Sequence, residues 1–206
     1  MAQRTRKLIA IDIDDVVADT TEAVRAWVNN KFDLKLERTD YYVTDSDYWN
    51  YFDKIWQKHG IHGQVNLHDI YREYENDQSH VSPISGVQQT IGHLRQVHDI
   101  VFITARPPSQ GKETRRWLDM HIDAQIPVYF SANPFFNQIA QSKGEICAEL
   151  GVDILIDDSI DNCRNAMQHG IDALLFGSYG WNAEPPDDLR RCDNWQEVLG
   201  FFDERF

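Results

Sequence analysis

Three carboxylates stand within four residues at Asp12-Ile13-Asp14-Asp15, and two more are adjacent at Asp157-Asp158. Each group follows a short apolar run, Leu8-Ile9-Ala10-Ile11 in one case and Ile154-Leu155-Ile156 in the other, of the kind that forms a buried strand. Acids crowded at the mouth of a strand repel one another and lose hydration, and a bound cation relieves much of that cost. Hard oxygen donors suit Mg²⁺, which takes octahedral coordination and keeps several waters. Either cluster alone reads as the cap of the following helix. Two clusters at equivalent strand ends favour convergence on one cation, provided the two strands are neighbours.

Other residues gain meaning only from where they fall. Thr104 follows Phe102-Ile103 and precedes Ala105-Arg106-Pro107, so its hydroxyl and the next amides are placed to hold a phosphate oxygen. Ser and Thr at strand ends ordinarily just close turns. Lys143 lies on the helix before Ile154, where an isolated lysine is normally solvated. Arg106 has two readings, contact with a substrate or a surface salt bridge. His59, His62 and His68 lack a metal-site spacing and read as surface or lid residues.

These side chains need a frame. Strands are expected at Leu8–Ile11, Ile100–Ile103, Pro127–Phe130, Ile154–Ile156 and Ala173–Phe176. Helices are expected at Thr21–Lys31 (with Asp19 or Thr20 as N-cap and Glu22 reaching back), Val65–Glu75, Val87–Val97, Gln110–His121, Phe136–Leu150, Ile160–His169 and Trp195–Phe202. Tyr48, Phe52, Ile55 and Trp56 recur at helical spacing in an aromatic-rich stretch with no strand pattern. The alternation implies an α/β, Rossmann-like, three-layer α/β/α parallel sheet with right-handed crossovers. In such sheets ligands bind beyond the carboxyl ends of the strands, where Asp12, Thr104 and Asp158 fall. Residues 1–17 and 83–206 form the expected core, and 18–82 an all-helical insertion.

Composition is that of an ordinary globular chain of 206 residues, with 42% hydrophobic residues. A formal net charge of −13 repels a polyphosphate backbone, which argues against a nucleic acid polymer as partner. Cys147, Cys163 and Cys192 form no CxxC pair and no disulfide framework, as expected of thiols in a reducing compartment. The start of the chain does not read as a signal peptide, and no stretch is long enough to span a bilayer. A cytoplasmic protein without a membrane partner is expected.

The series Asp12-x-Asp14, Thr104, Lys143 and Asp157-Asp158 resembles the four motifs of the haloacid dehalogenase (HAD) superfamily. The match covers residues 8–17 and about 98–178, and the insertion resembles a C1-type helical cap. Closer still is the 5′(3′)-deoxyribonucleotidase-like branch, through cap size, the Ile-Asp-Asp fourth motif and Tyr179-Gly180-Trp181-Asn182. There are two departures. Asp15 stands where many relatives have Gly, and Thr104-Ala105-Arg106 replaces a Thr-Ser pair.

The resemblance implies a Mg²⁺-dependent phosphomonoester hydrolase working through an aspartyl-phosphate. Asp12 would be the nucleophile, Asp14 the acid and base, and Thr104 and Lys143 the other catalytic groups. Thr104, Ala105, Arg106 and Lys143 would bind substrate. Asp12, Asp14 (through its carbonyl) and Asp158 would hold the metal, with Asp157 supporting from behind. The implied partner is a small phosphorylated substrate, a nucleoside monophosphate, and a homodimer is left open. Rival readings are a sugar-phosphate phosphatase, a nucleotide-binding protein with negligible turnover and a polynucleotide end phosphatase. For the cap aromatics, stacking on a base competes with simple service as the core of a helical lid.

Overall fold

The computed structural model describes residues 6–44, 48–123, 125–133 and 139–205. Six strands form one parallel sheet: β1 (Leu8–Ile11), β2 (Asp99–Thr104), β3 (Val128–Phe130), β4 (Ile154–Asp157), β5 (Asp172–Phe176) and β6 (Arg191–Cys192), in the order β3-β2-β1-β4-β5-β6. The order turns between β1 and β4, and in open α/β sheets that switch point is where a crevice opens. Ile11 lies opposite Ile156 of β4, and the Asp12 amide donates to the Ile156 carbonyl at 2.9 Å. The strands bearing the two acidic clusters are therefore neighbours, as convergence requires.

Side chains alternate across the sheet. Ile9, Ile11, Ile100, Phe102, Ile154 and Ile156 face one layer, which includes α4 (Val87–Val97) and α8 (Trp195–Arg205). Ala10, Val101, Ile103 and Leu155 face Ile146 and Cys147 of α6 (Lys143–Leu150) and Ala166 of α7 (Ile160–Gln168). Each fully buried Ile or Leu contributes roughly 1.5–3 kcal/mol. All three cysteines are buried free thiols.

Between β1 and α4 the chain forms α1 (Thr20–Phe32), a 3-10 turn (Arg38–Tyr41), α2 (Tyr48–Lys58) and α3 (Leu67–Asn76), with no strand among the described residues. The outgoing chain pairs with the returning chain: the Asp19 amide donates to the Ser82 carbonyl, and the Ile84 amide to that of Val17. Ile55 and Trp56 are fully buried and Phe52 stacks on Trp56 at 5.6 Å, so this part of the aromatic stripe is core; the Tyr48 side chain is outside what the structure describes. These apolar residues join the cluster beneath the sheet rather than forming their own.

Three expectations change. The Asp19 side chain does not cap α1; it pairs with Arg38, and Asp15 accepts from the Thr21 amide and hydroxyl instead. The helix expected from Phe136 begins at Lys143, where Ser142 and Glu145 cap each other reciprocally. Residues 136–138 of that expectation lie outside the described residues. Gln110, expected to open the helix that runs to His121, instead ends a 3-10 turn at Pro108–Gln110, and α5 spans Gly111–His121.

Candidate active site

The sheet's turning point gathers the acids. Asp12 continues β1, and Asp157 and Asp158 end β4, with carboxylate oxygens of all three within 4.8 Å of one another. Lys143 is no solvated surface residue: from the first turn of α6 it reaches inward, its Nζ 2.8 Å from Asp12 Oδ1 and 2.7 Å from Asp157 Oδ2. The other oxygen of Asp157 accepts from the Ser159 amide and Asn162 Nδ2. Asp157 is thus consumed by protein contacts and does not line the pocket, whereas Asp12, Asp14, Lys143 and Asp158 do. Behind Asp158, Trp181 Nε1 donates to Oδ2 at 2.8 Å and Asn182 Nδ2 donates to the main-chain carbonyl.

Arg106 does not form a surface salt bridge; it is buried. Its Nε and Nη2 form a fork on Asp14, and Nη1 donates to Gln78 Oε1 and Thr114 Oγ1. Thr20 adds a hydroxyl bond to Asp14 at 2.6 Å. Ala105 and Arg106 line the pocket. Thr104 is fully buried behind that wall, its hydroxyl accepting from the Arg106 amide. Asp15 turns away from the pocket. With φ of 57° it adopts the left-handed backbone that favours Gly, and its carboxylate serves the start of α1.

The charges follow from this packing. Burial, together with Asp157 and Asp14, pushes Asp12 up to about 7 against the pull of Lys143. Burial likewise raises Asp158 well above the usual carboxylate range, with Asp157 and Asp12 adding to it. For Asp14, burial works upward, but the Arg106 guanidinium and the Thr20 hydroxyl outweigh it and hold the carboxyl low. For Lys143, burial works downward and is overcome by Asp12 and Asp157, so the ammonium persists. Asp12, Asp14, Asp157 and Asp158 against Lys143 and Arg106 leave an excess of two negative charges if all are ionised. An all-oxygen donor set with that excess fits a divalent cation.

The other half of the pocket is apolar, formed by Val24 of α1, Phe52 of α2 and Ile70, Tyr71 and Tyr74 of α3, with Gln110 beside them. Gln78, Gln110, Thr20 and Thr114 were not marked as site residues by sequence pattern, which gave Thr20 only as an N-cap candidate and Gln110 only as a helix start. Ser159, which caps α7 through the Asn162 amide, was findable as a Ser directly after the fourth motif.

The chain matches the family model "5' nucleotidase, deoxy (Pyrimidine), cytosolic type C protein" over residues 6–202. A nucleotidase of Clostridium acetobutylicum is 27% identical over 181 residues, covering 80% of this chain and 90% of that protein. The magnesium-bound structure of the HAD-type hydrolase YfnB from Bacillus subtilis superposes with a TM-score of 0.63 at 14% identity, covering 96% of this chain and 99% of that one. A haloacid dehalogenase-like hydrolase of Streptococcus pneumoniae gives 0.59 at 14% identity, covering 96% and 98%. The solved structures share the HAD fold, the matched family supplies the activity class, and the chain belongs to the cytosolic type C 5′ nucleotidase family of HAD phosphatases.

Proposed function

We propose that this enzyme is a Mg²⁺-dependent phosphomonoesterase acting on nucleoside monophosphates, with Asp12 as the group transiently phosphorylated. The observation that carries the reading is the meeting of Asp12 and Asp158 in one pocket, with the Lys143 ammonium against Asp12. Asp12, Asp158 and the Asp14 carbonyl would hold Mg²⁺, which supplies positive charge against the repulsion between carboxylate and phosphate. Residues 18–82 serve as a cap that closes over the substrate, and 1–17 with 83–206 as the catalytic core.

In this mechanism Asp12 attacks phosphorus in line as the bond to the leaving oxygen breaks. Lys143 and the Ala105 amide stabilise charge spreading over the equatorial oxygens. Asp14 delivers a proton to the leaving alkoxide. Arg106 opposes that protonation while its fork stays on Asp14, and an incoming phosphate competes for the same guanidinium. Asp14, once ionised, takes a proton from the water that cleaves the acyl phosphate, restoring Asp12 and releasing phosphate. The apolar wall of Phe52, Tyr71 and Tyr74 supports a nucleobase over a bare sugar as the leaving group's far end.

Phosphate release from a panel of nucleoside monophosphates, sugar phosphates and p-nitrophenyl phosphate tests this. Turnover should require Mg²⁺, favour nucleotides and fall by at least about 10³-fold in Asp12→Asn. Chelator-resistant turnover, or an active Asp12→Asn enzyme, would refute it.

A further inference from the structure

We propose that Gln110 reads the substrate's base: its Oε1 accepts a hydrogen bond from an N–H on the edge of the nucleobase. The inference rests on the nucleotide reading above and deepens it by naming a specificity residue.

Gln110 is 0% exposed, yet it lines the pocket on the side of Tyr71 and Ile70. The 3-10 turn at Pro108–Gln110 carries it from the mouth of β2 to the start of α5. Its Nε2 donates to the Tyr71 carbonyl at 3.2 Å, joining this turn to α3. Its Oε1 is buried and has no partner among the described residues. The amide cannot be turned over to satisfy both ends, because Oε1 would then face the Tyr71 carbonyl, acceptor against acceptor. Buried acceptors in native proteins nearly always have a donor, and one left open on a pocket wall is complementary to a donor that arrives with the ligand. The neighbouring Phe52, Tyr71 and Tyr74 suit a planar ring whose edge carries that donor. A sugar hydroxyl offers the same donor chemistry, so the test must separate base from sugar.

The enzyme and its Gln110→Leu variant should be compared, with Mg²⁺ present, on nucleoside monophosphates, on ribose and deoxyribose 5-phosphates and on p-nitrophenyl phosphate. Gln110→Leu should raise KM for the preferred nucleotide about tenfold or more, with kcat changed less than about threefold. The sugar phosphates and p-nitrophenyl phosphate should stay within about twofold, which also shows that the variant folds. A second arm needs no variant: methylating the donor N–H of the base should raise KM for the unaltered enzyme and lose that effect in Gln110→Leu. Unchanged nucleotide kinetics would overturn the proposal. So would an equal loss on sugar phosphates, which assigns the donor to the sugar, or an equal loss on all substrates, which assigns Gln110 to tethering α3. If the unaltered enzyme cleaves other phosphoesters but no nucleotide, the nucleotide reading itself has failed and this inference falls with it.

Discussion

At the scale of single residues, Asp15 shows how one side chain combines backbone and capping functions. Its left-handed backbone suits Asp or Asn better than most residues, and its carboxylate holds the Thr21 amide at 2.8 Å. Burial pushes its carboxyl up to about 8, despite two hydrogen bonds from Thr21 that favour the anion. The unfolded chain loses this proton near pH 4, the folded chain only near pH 8, so between them the folded state binds the extra proton. Stability from this group therefore falls as pH rises through that window. Asp15→Asn keeps the backbone preference and the acceptor but does not titrate. In metal-free protein its melting temperature should gain on the parent progressively from pH 5 to pH 8; a constant difference would show that Asp15 does not titrate in that window. Trp181 permits a cleaner substitution. Phe in its place preserves stacking on Tyr179, now 4.6 Å between centroids, while removing the donor to Asp158. Partners behind a metal ligand typically contribute about 10–100-fold in metal affinity, so Trp181→Phe should weaken Mg²⁺ binding by that order in a calorimetric titration.

At the scale of elements, what was legible depended on whether the signal was local. β1, β2, β4 and β5 are short apolar runs, and the acidic or Thr residues closing β1, β2 and β4 marked the binding edge. β6 has two residues and no apolar run; the Leu175 amide bonded to Arg190 and the Gly177 amide bonded to Cys192 define it from the partner strand. The start of α6 was in fact written as Ser142-x-x-Glu145, but the upstream apolar residues obscured it. The capping of α1 by Asp15 and the fork of Arg106 on Asp14, 92 residues away, needed the fold, because no spacing rule connects such residues. Thr104 was placed correctly along the chain, yet only coordinates show it behind the pocket wall rather than on it. The same non-local packing governs Gly180. A Cβ there would stand 2.3 Å from the Val43 carbonyl oxygen, so the 3-10 turn Gly180–Asn182 approaches the α1–α2 connection backbone to backbone. Gly180→Ala should destabilise by about 1–3 kcal/mol, read as a melting temperature lower by roughly 3–10 °C. An unchanged melting temperature would mean that the two segments are not in contact.

At the scale of the molecule, the site places a burden on folding that the proposed cation would remove. Three buried acids, the half-buried Asp14 and two buried cations meet at one sheet edge, and burial raises both Asp12 and Asp158. Metal-free protein must therefore hold protons there or tolerate repulsion, so metal binding and folding are coupled. At a free Mg²⁺ concentration of 100 times Kd, the stabilisation is about 2.7 kcal/mol, or roughly 5–10 °C for a chain of this size. With a net charge of −13, divalent ions also stabilise such a surface nonspecifically, and a variant must separate the two effects. Asp158→Asn can still accept from Trp181 Nε1 but removes one buried negative charge. In chelator at pH 8 it should melt above the parent, while its gain on adding Mg²⁺ should shrink to the small surface component. The order of the two proteins therefore reverses between chelator and saturating Mg²⁺, a trade of stability for function seated in one carboxylate. If Mg²⁺ stabilises both proteins equally, the cation binds elsewhere and Asp158 is not among its ligands.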